Sequence, residues 1–309
     1  RWNAPVPGAA NGEVRNCVVR RNNLAQGTGI GQGITVEAEN VWIYDSEIYE
    51  NGFAGIDFLD YSVDTKTDGG GVQNCKVHNN GIQPTKMESF DPNIYIDGGS
   101  NITIRDNEIW GAGIDPRGSK TRLRGSPGIN VEVEGGGFSA GKRPTGIKIV
   151  NNVSYGNAGA AIQIGSMNGN QSAISCFSDI QVVGNTLHRD RGNNDIPSYG
   201  SASQPDHGIR VFIFRNIASG LVVKNNLLLS LNTNKAPLFG SLSMRNAGKT
   251  VMNFENNIYY CPGCNYNTVG GYSSGGFFSH SYIQNMTIDE FRNVAATATM
   301  RQENNLSKT

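Results

Sequence analysis

The chain has 309 residues, with 26 Lys+Arg balanced by 26 Asp+Glu, so its formal net charge is zero. That neutrality provides no bulk attraction for nucleic acid or an anionic membrane, and no apolar run approaches the ~18 residues that would span a bilayer. Hydrophobic residues make up only 37% and charged residues 17%, while 40 glycines and many Asn, Ser and Thr suit short strands and tight turns. Regular apolar pairs argue against disorder.

In chain order, a short motif recurs eight times. An apolar residue opens it, at Val19, Ile43, Val72, Ile104, Ile149, Val182, Val223 and Phe254. Three positions later comes a small residue, at Asn22, Ser46, Cys75, Asn107, Asn152, Asn185, Asn226 and Asn257, with 24 to 45 residues between successive members. A fixed core motif with elastic spacing is the signature of a solenoid, in which each coil is one unit and insertions become loops. The stretch from Asn93 to Gly111 reads as strand, turn, strand, polar corner, strand. Alternation turns Ile94, Ile96, Ile102 and Ile104 inward and Tyr95, Asp97, Thr103 and Arg105 outward. Stacked small polar residues then form an internal amide ladder, with Cys75 packed between Ser46 and Asn107.

One strand of each coil aligns readily: Gly33-Ile34-Thr35-Val36-Glu37, Gly55-Ile56-Asp57-Phe58-Leu59, Asn93-Ile94-Tyr95-Ile96-Asp97, Gly128-Ile129-Asn130-Val131-Glu132, Ala161-Ile162-Gln163-Ile164-Gly165 and Gly208-Ile209-Arg210-Val211-Phe212. The pattern resembles the right-handed parallel β-helix superfamily, which includes pectate and alginate lyases, polygalacturonases, alginate epimerases and phage tailspikes. The resemblance implies an all-β, single-stranded right-handed parallel β-helix of about eight coils, with long loops flanking one sheet. We read one domain over 1–309, with the repeat core at about 14–260 and a loop and short-helix appendage at 261–309. In that appendage, Met286 to Phe291 reads as a helix start with a Thr287/Glu290 capping box.

The insertions are not evenly spread. Residues 60–70, 135–144 and 165–179 follow the aligned strand, and 81–92, 113–127 and 188–206 precede it, so both sets would wall an open groove on one sheet. The outward columns of that sheet are Thr35, Asp57, Tyr95, Asn130, Gln163, Arg210 and Glu37, Leu59, Asp97, Glu132, Gly165, Phe212. Asp97 and Glu132 are then direct neighbours, with Asp57 diagonal to Asp97. Like charges directly opposite are destabilising, so a shared proton, a cation such as Ca²⁺ or a basic side chain must compensate. Glu134 extends the same acidic face.

Carboxylates lining a groove suit glycoside hydrolysis. We take Asp57, Asp97 and Glu132 as catalytic candidates, and Tyr95, Asn130, Gln163, Arg210, His207, Lys142 and Arg122 as substrate contacts on an extended polysaccharide. The rival chemistry is elimination on a uronate polymer, with Ca²⁺ at Asp97, Glu132 and Glu134 and Lys142 or an Arg as base. An acidic pair followed by Lys is similar to calcium-assisted alginate lyases, without matching their spacing. Phe90-Asp91-Pro92-Asn93 resembles the Tyr-Gly-Phe-Asp-Pro-His run of alginate epimerases, but Glu88, Ser89 and Asn93 replace its Tyr, Gly and His, so that activity is not carried over. A third reading is a non-enzymatic surface, fibre or carbohydrate-binding module.

Five cysteines make no complete disulfide framework. Cys261 and Cys264 could pair locally, and Cys17 and Cys176 read as free thiols. His78 falls on a corner and reads as a surface residue. Arg1 opens in mid-pattern and Asn304-Asn305-Leu306 starts a unit that Thr309 does not finish. We therefore expect a processed piece of a secreted or cell-surface protein, whose open coil ends invite homo-oligomeric stacking.

Overall fold

A computed structural model describes residues 10–22, 31–82, 91–117, 126–133, 141–165 and 177–189, then 212–214, 217–230, 239–241, 252–255, 257–260, 270–272, 284–286, 300–303 and 306–307. Among these residues there are strands and turns but no helix, and three sheets of nine strands each. Every third strand joins the same sheet. The second coil, for example, is Val41–Tyr44, Glu47–Tyr49 and Ile56–Leu59, and the third is Gly70–Gln73, Lys76–His78 and Ile94–Asp97. Neighbouring coils pair in parallel, and the chain winds as a right-handed parallel β-helix.

Strands this short hold because alternate residues stack inside. Ile43, Val72, Ile104, Ile149, Val182 and Val223 occupy one register column in the first sheet and are all fully buried. Ile94, Ile96, Ile102 and Ile104 point inward as their alternation requires. The corners depend on residues that tolerate the left-handed backbone. Asp45, Asn74, Asp106, Asn151 and Asn225 all have φ between 48° and 59°, a conformation Asn and Asp accept at low cost.

The residue after each of these corners enters the ladder. Asn107 donates from N and Nδ2 to Asn152 Oδ1 at 3.1 and 2.9 Å. Asn152 does the same to Asn185 at 2.9 and 3.0 Å, and Asn185 to Asn226 at 2.9 and 3.0 Å. Cys75 N donates to Asn107 Oδ1 at 2.9 Å, continuing the column as its position predicts.

The first member of the expected repeat is corrected. Val14, not Val19, stands opposite Ile43, so Cys17 heads this ladder and donates from its backbone to Ser46 Oγ. Val19 pairs with Ile48 in the second sheet, and Asn22 N donates to Asn51 Oδ1 at 3.1 Å. The same apolar-to-polar spacing occurs twice per coil, five residues apart, so spacing alone does not say which corner a residue turns.

A second ladder therefore runs through Asn22, Asn51 and Asn80. Its next position is Ala112, which has no amide. Asn93, just before the third-sheet strand of Asn80's own coil, supplies the missing group. It accepts from Asn80 Nδ2 at 2.9 Å and donates to Trp110 O at 2.8 Å.

Outside the second sheet, Tyr49, His78, Trp110 and Tyr155 stack in register with centroids 4.9, 4.0 and 5.8 Å apart. His78 is thus a half-buried rung, also 3.2 Å from Glu47, rather than a loose surface side chain. Stacked aromatic pairs contribute about 0.5–1.5 kcal/mol each beyond area burial.

The solenoid also continues past residue 260, within the stretch expected as an appendage. Met300–Glu303 and Leu306–Ser307 extend the first and second sheets. Met286 ends the antiparallel strand Gln284–Met286, and the rest of the expected helix, like Cys176, Cys261 and Cys264, lies outside the described residues. Cys17 is an exposed free thiol and Cys75 a buried one. Burial pushes the Cys75 thiol up to about 11. At pH 8, iodoacetamide should modify Cys17 while leaving Cys75 untouched until denaturant is added. Equal modification of the two in peptide mass spectra would contradict the ladder position of Cys75.

Candidate active site

The strands aligned from sequence form the third sheet, in the predicted register over its first five members. Asp57 pairs with Tyr95, and Tyr95 with Asn130, which pairs with Gln163. Leu59 pairs with Asp97, and Asp97 with Glu132. The two acids are thus one strand spacing apart, about 4.8 Å between backbones. The sixth member is corrected: Phe212 stands opposite Ile162 and Ile213 opposite Gln163. Ile213 takes the column position expected for Arg210. The run Ile209 to Phe214 is apolar at every position but one, so alternation could not fix its register. Arg210, His207, Arg122 and Glu134 all lie outside the described residues.

Most of the segments expected to wall the groove lie outside the described residues. The acids are outward on the solenoid yet buried, with Asp57 4%, Asp97 3% and Glu132 7% exposed. Asn130 and Gln163 are also buried, and Tyr95 is half-exposed. Residues 60–68 bond back to this edge of the sheet. Asp60 N donates to Asp97 O at 2.7 Å, and Ser100 N to Thr67 O at 3.0 Å. Lys142 closes over this turn, with Nζ 2.8 Å from Asp60 Oδ1 and donating to Thr65 O at 2.6 Å.

Glu132 is held by a relay across two coils. Gln163 Nε2 donates to Asn130 Oδ1 at 3.1 Å, and Asn130 Nδ2 donates to Glu132 Oε2 at 3.0 Å. Asn130 is two residues before Glu132, on the same face, so the pleat itself delivers this contact. Asp57 Oδ2 accepts from Gln32 Nε2 at 3.2 Å. The relay was missed from sequence, although Asn130 and Gln163 were placed in the right column as sugar contacts.

Chemically, the arrangement is a buried cross-strand carboxylate pair with a fixed amide donor on one member. Two fully ionised acids in that position repel, so a shared proton, a bound cation or a basic side chain compensates the pair. Calcium takes six to eight oxygens, and among the described residues no group of three or more His, Cys, Asp or Glu could hold a metal. The described residues do not complete a calcium site.

No family model matches the chain, and no curated protein matches it. Solved structures do. The A-module of the Azotobacter vinelandii mannuronan C-5 epimerase AlgE6 aligns with a TM-score of 0.56 and 13% identity, covering 97% of this chain and 74% of that one. The chain shares the parallel β-helix fold of that module. A pectate lyase bound to a hexasaccharide gives a TM-score of 0.46 at 14% identity, over 90% of this chain and 63% of the lyase. The AlgE4 A-module of the same organism gives 0.44 at 12%, over 89% and 58%. Identity at this level speaks for architecture alone.

Proposed function

We propose that the protein is an extracellular polysaccharide-degrading enzyme, a retaining glycoside hydrolase built on Asp97 and Glu132. The observation that carries this reading is the registered, buried carboxylate pair. Retaining enzymes keep their two carboxyl groups about 5–5.5 Å apart, close to one strand spacing. Glu132, held by Asn130, attacks the anomeric carbon while Asp97 protonates the departing glycosidic oxygen. The glycosyl ester on Glu132 then breaks when Asp97 takes a proton from water and that water attacks the same carbon, regenerating both acids. The fold shared with a mannuronan epimerase supports a carbohydrate substrate.

Elimination on a uronate polymer ranks second. It requires a base, and the described candidate, Lys142, already contacts Asp60 and Thr65.

The test is incubation with neutral and uronate polysaccharides, with and without chelator. New reducing ends with retained anomeric configuration by NMR are expected. Inverted product would reject the Asp97/Glu132 pair in favour of Asp57 with Asp97, whose diagonal separation of about 7–8 Å leaves room for water. Ultraviolet absorbance from an unsaturated uronate would replace hydrolysis by elimination. No product on any polymer would favour the non-enzymatic module.

A further inference from the structure

Among the described residues, four large hydrophobic side chains are exposed, and two of them, Tyr61 at 48% and Val63 at 75%, lie on one turn. The other two, Val18 and Val153, sit on second-sheet strands. Tyr61 also differs from Trp42, Tyr44, Tyr49, Tyr95, Trp110 and Tyr155. Trp42 stacks on Tyr44. Tyr49 and Trp110 stack on His78, Tyr155 stacks on Trp110, and Tyr95 is engaged as well. The Tyr61 ring has no such contact among the described residues. Isolated exposed hydrophobics are ordinary, so the case rests on how and where this pair is held.

The turn is stapled by polar contacts on its inner side. Thr65 Oγ1 donates to Asp60 Oδ1 and accepts from Ser62 N, each at 3.0 Å. Asp64 N donates to Ser62 Oγ at 3.3 Å, and Thr65 N to Ser62 O at 3.3 Å. Lys142 then pins both ends, at Asp60 and at Thr65 O. A turn so restrained would lose little further entropy on binding. It also begins at the site: Leu59 is the register partner of Asp97, and Asp60 N donates to Asp97 O.

We infer that Tyr61, with Val63 beside it, is a sugar-binding platform at the rim of the candidate active site, where a pyranose ring of the polysaccharide lays its apolar face on the phenol. An aromatic side chain provides a large apolar surface with a polar tip and few rotatable bonds, which suits a ligand with apolar ring faces and hydroxyl edges. This inference rests on the polysaccharide reading but not on the reaction type, since binding outside the reacting bond serves hydrolysis and elimination alike. Sugar held here adds affinity remote from the chemistry, so its loss raises KM before it lowers kcat.

The test is affinity electrophoresis of the Glu132→Gln protein through gels containing β-glucan, xylan, polygalacturonate or alginate. Retardation is expected in at least one gel. In that gel, adding Tyr61→Ala should weaken binding roughly tenfold to a hundredfold, the effect of uncovering one aromatic ring. Tyr61→Trp should preserve it, and Tyr44→Ala, on the first sheet, should leave it unchanged. Tyr61→Ala migrating like its parent in a gel that retards the parent overturns the platform while leaving the polysaccharide reading intact. A parent retarded by none of the four polymers overturns both.

Discussion

Glu132→Gln should abolish turnover, and Asp97→Asn should lower kcat about 10²–10⁴-fold, the usual contribution of a positioned acid. Both substitutions keep size and shape within the pleat. The two variants should then diverge on an activated substrate whose leaving group needs no protonation. Asp97→Asn should recover most of its rate of glycosyl-enzyme formation, because only leaving-group assistance was removed. Glu132→Gln should recover nothing, because no nucleophile remains. Rapid quench of a fluorophore-releasing glycoside measures both rates, and full activity in both variants would remove the pair from the mechanism. Equal rescue of both would reverse or dissolve the assigned roles.

The largest expected stability effect lies in the ladder. Asn152 Oδ1 accepts from Asn107 N and Nδ2, and Asn152 Nδ2 donates to Ile104 O at 2.9 Å. Asn152→Ala strands those groups in a part of the molecule where Asn152 itself is 1% exposed. At roughly 1–3 kcal/mol for each of three buried orphans, the loss is about 3–9 kcal/mol. That corresponds to a Tm lowered by about 5–14 °C in a chain of this length. Asn151→Gly, one position earlier at an exposed corner with φ 53°, should change stability by no more than about 0.5 kcal/mol. Thermal melts of the two variants separate the ideas, and a Tm for Asn152→Ala within about 2 °C of the parent would show that the ladder is dispensable.

Much of this architecture was legible because its period is enforced by packing. A one-residue slip of Ile94 and Ile96 would turn the core side chains outward, so the strand register up to Gln163 could be read directly. It failed at Arg210, where Val211, Phe212, Ile213 and Phe214 offer two alternations of equal quality. It also failed at Val19, where two successive corners carry the same spacing. The acids were legible as positions and as neighbours. Their burial was not, because alternation gives a side chain's direction and not what folds over it, and contacts such as Lys142 to Thr65, 77 residues apart, leave no mark in the spacing. The Gln163–Asn130–Glu132 relay needed side-chain directions as well as register, and a column of outward polar residues does not distinguish a sugar contact from a tether.

The solenoid also quantises chemistry. Asp97 and Glu132 come from consecutive coils, so their separation is set by a rung height and not by the reach of loops. Inserting one whole coil without an acid at this register position between them would move the acids from about 4.8 Å to about 9.6 Å between backbones. For the proposed hydrolase, that single genetic event would leave the roughly 5–5.5 Å separation of retaining pairs for the far edge of the roughly 6.5–9.5 Å range of inverting ones. In a fold of this kind, stereochemical outcome is a countable property of the chain, and repeat number is a route by which one scaffold changes its reaction without redesigning a single side chain.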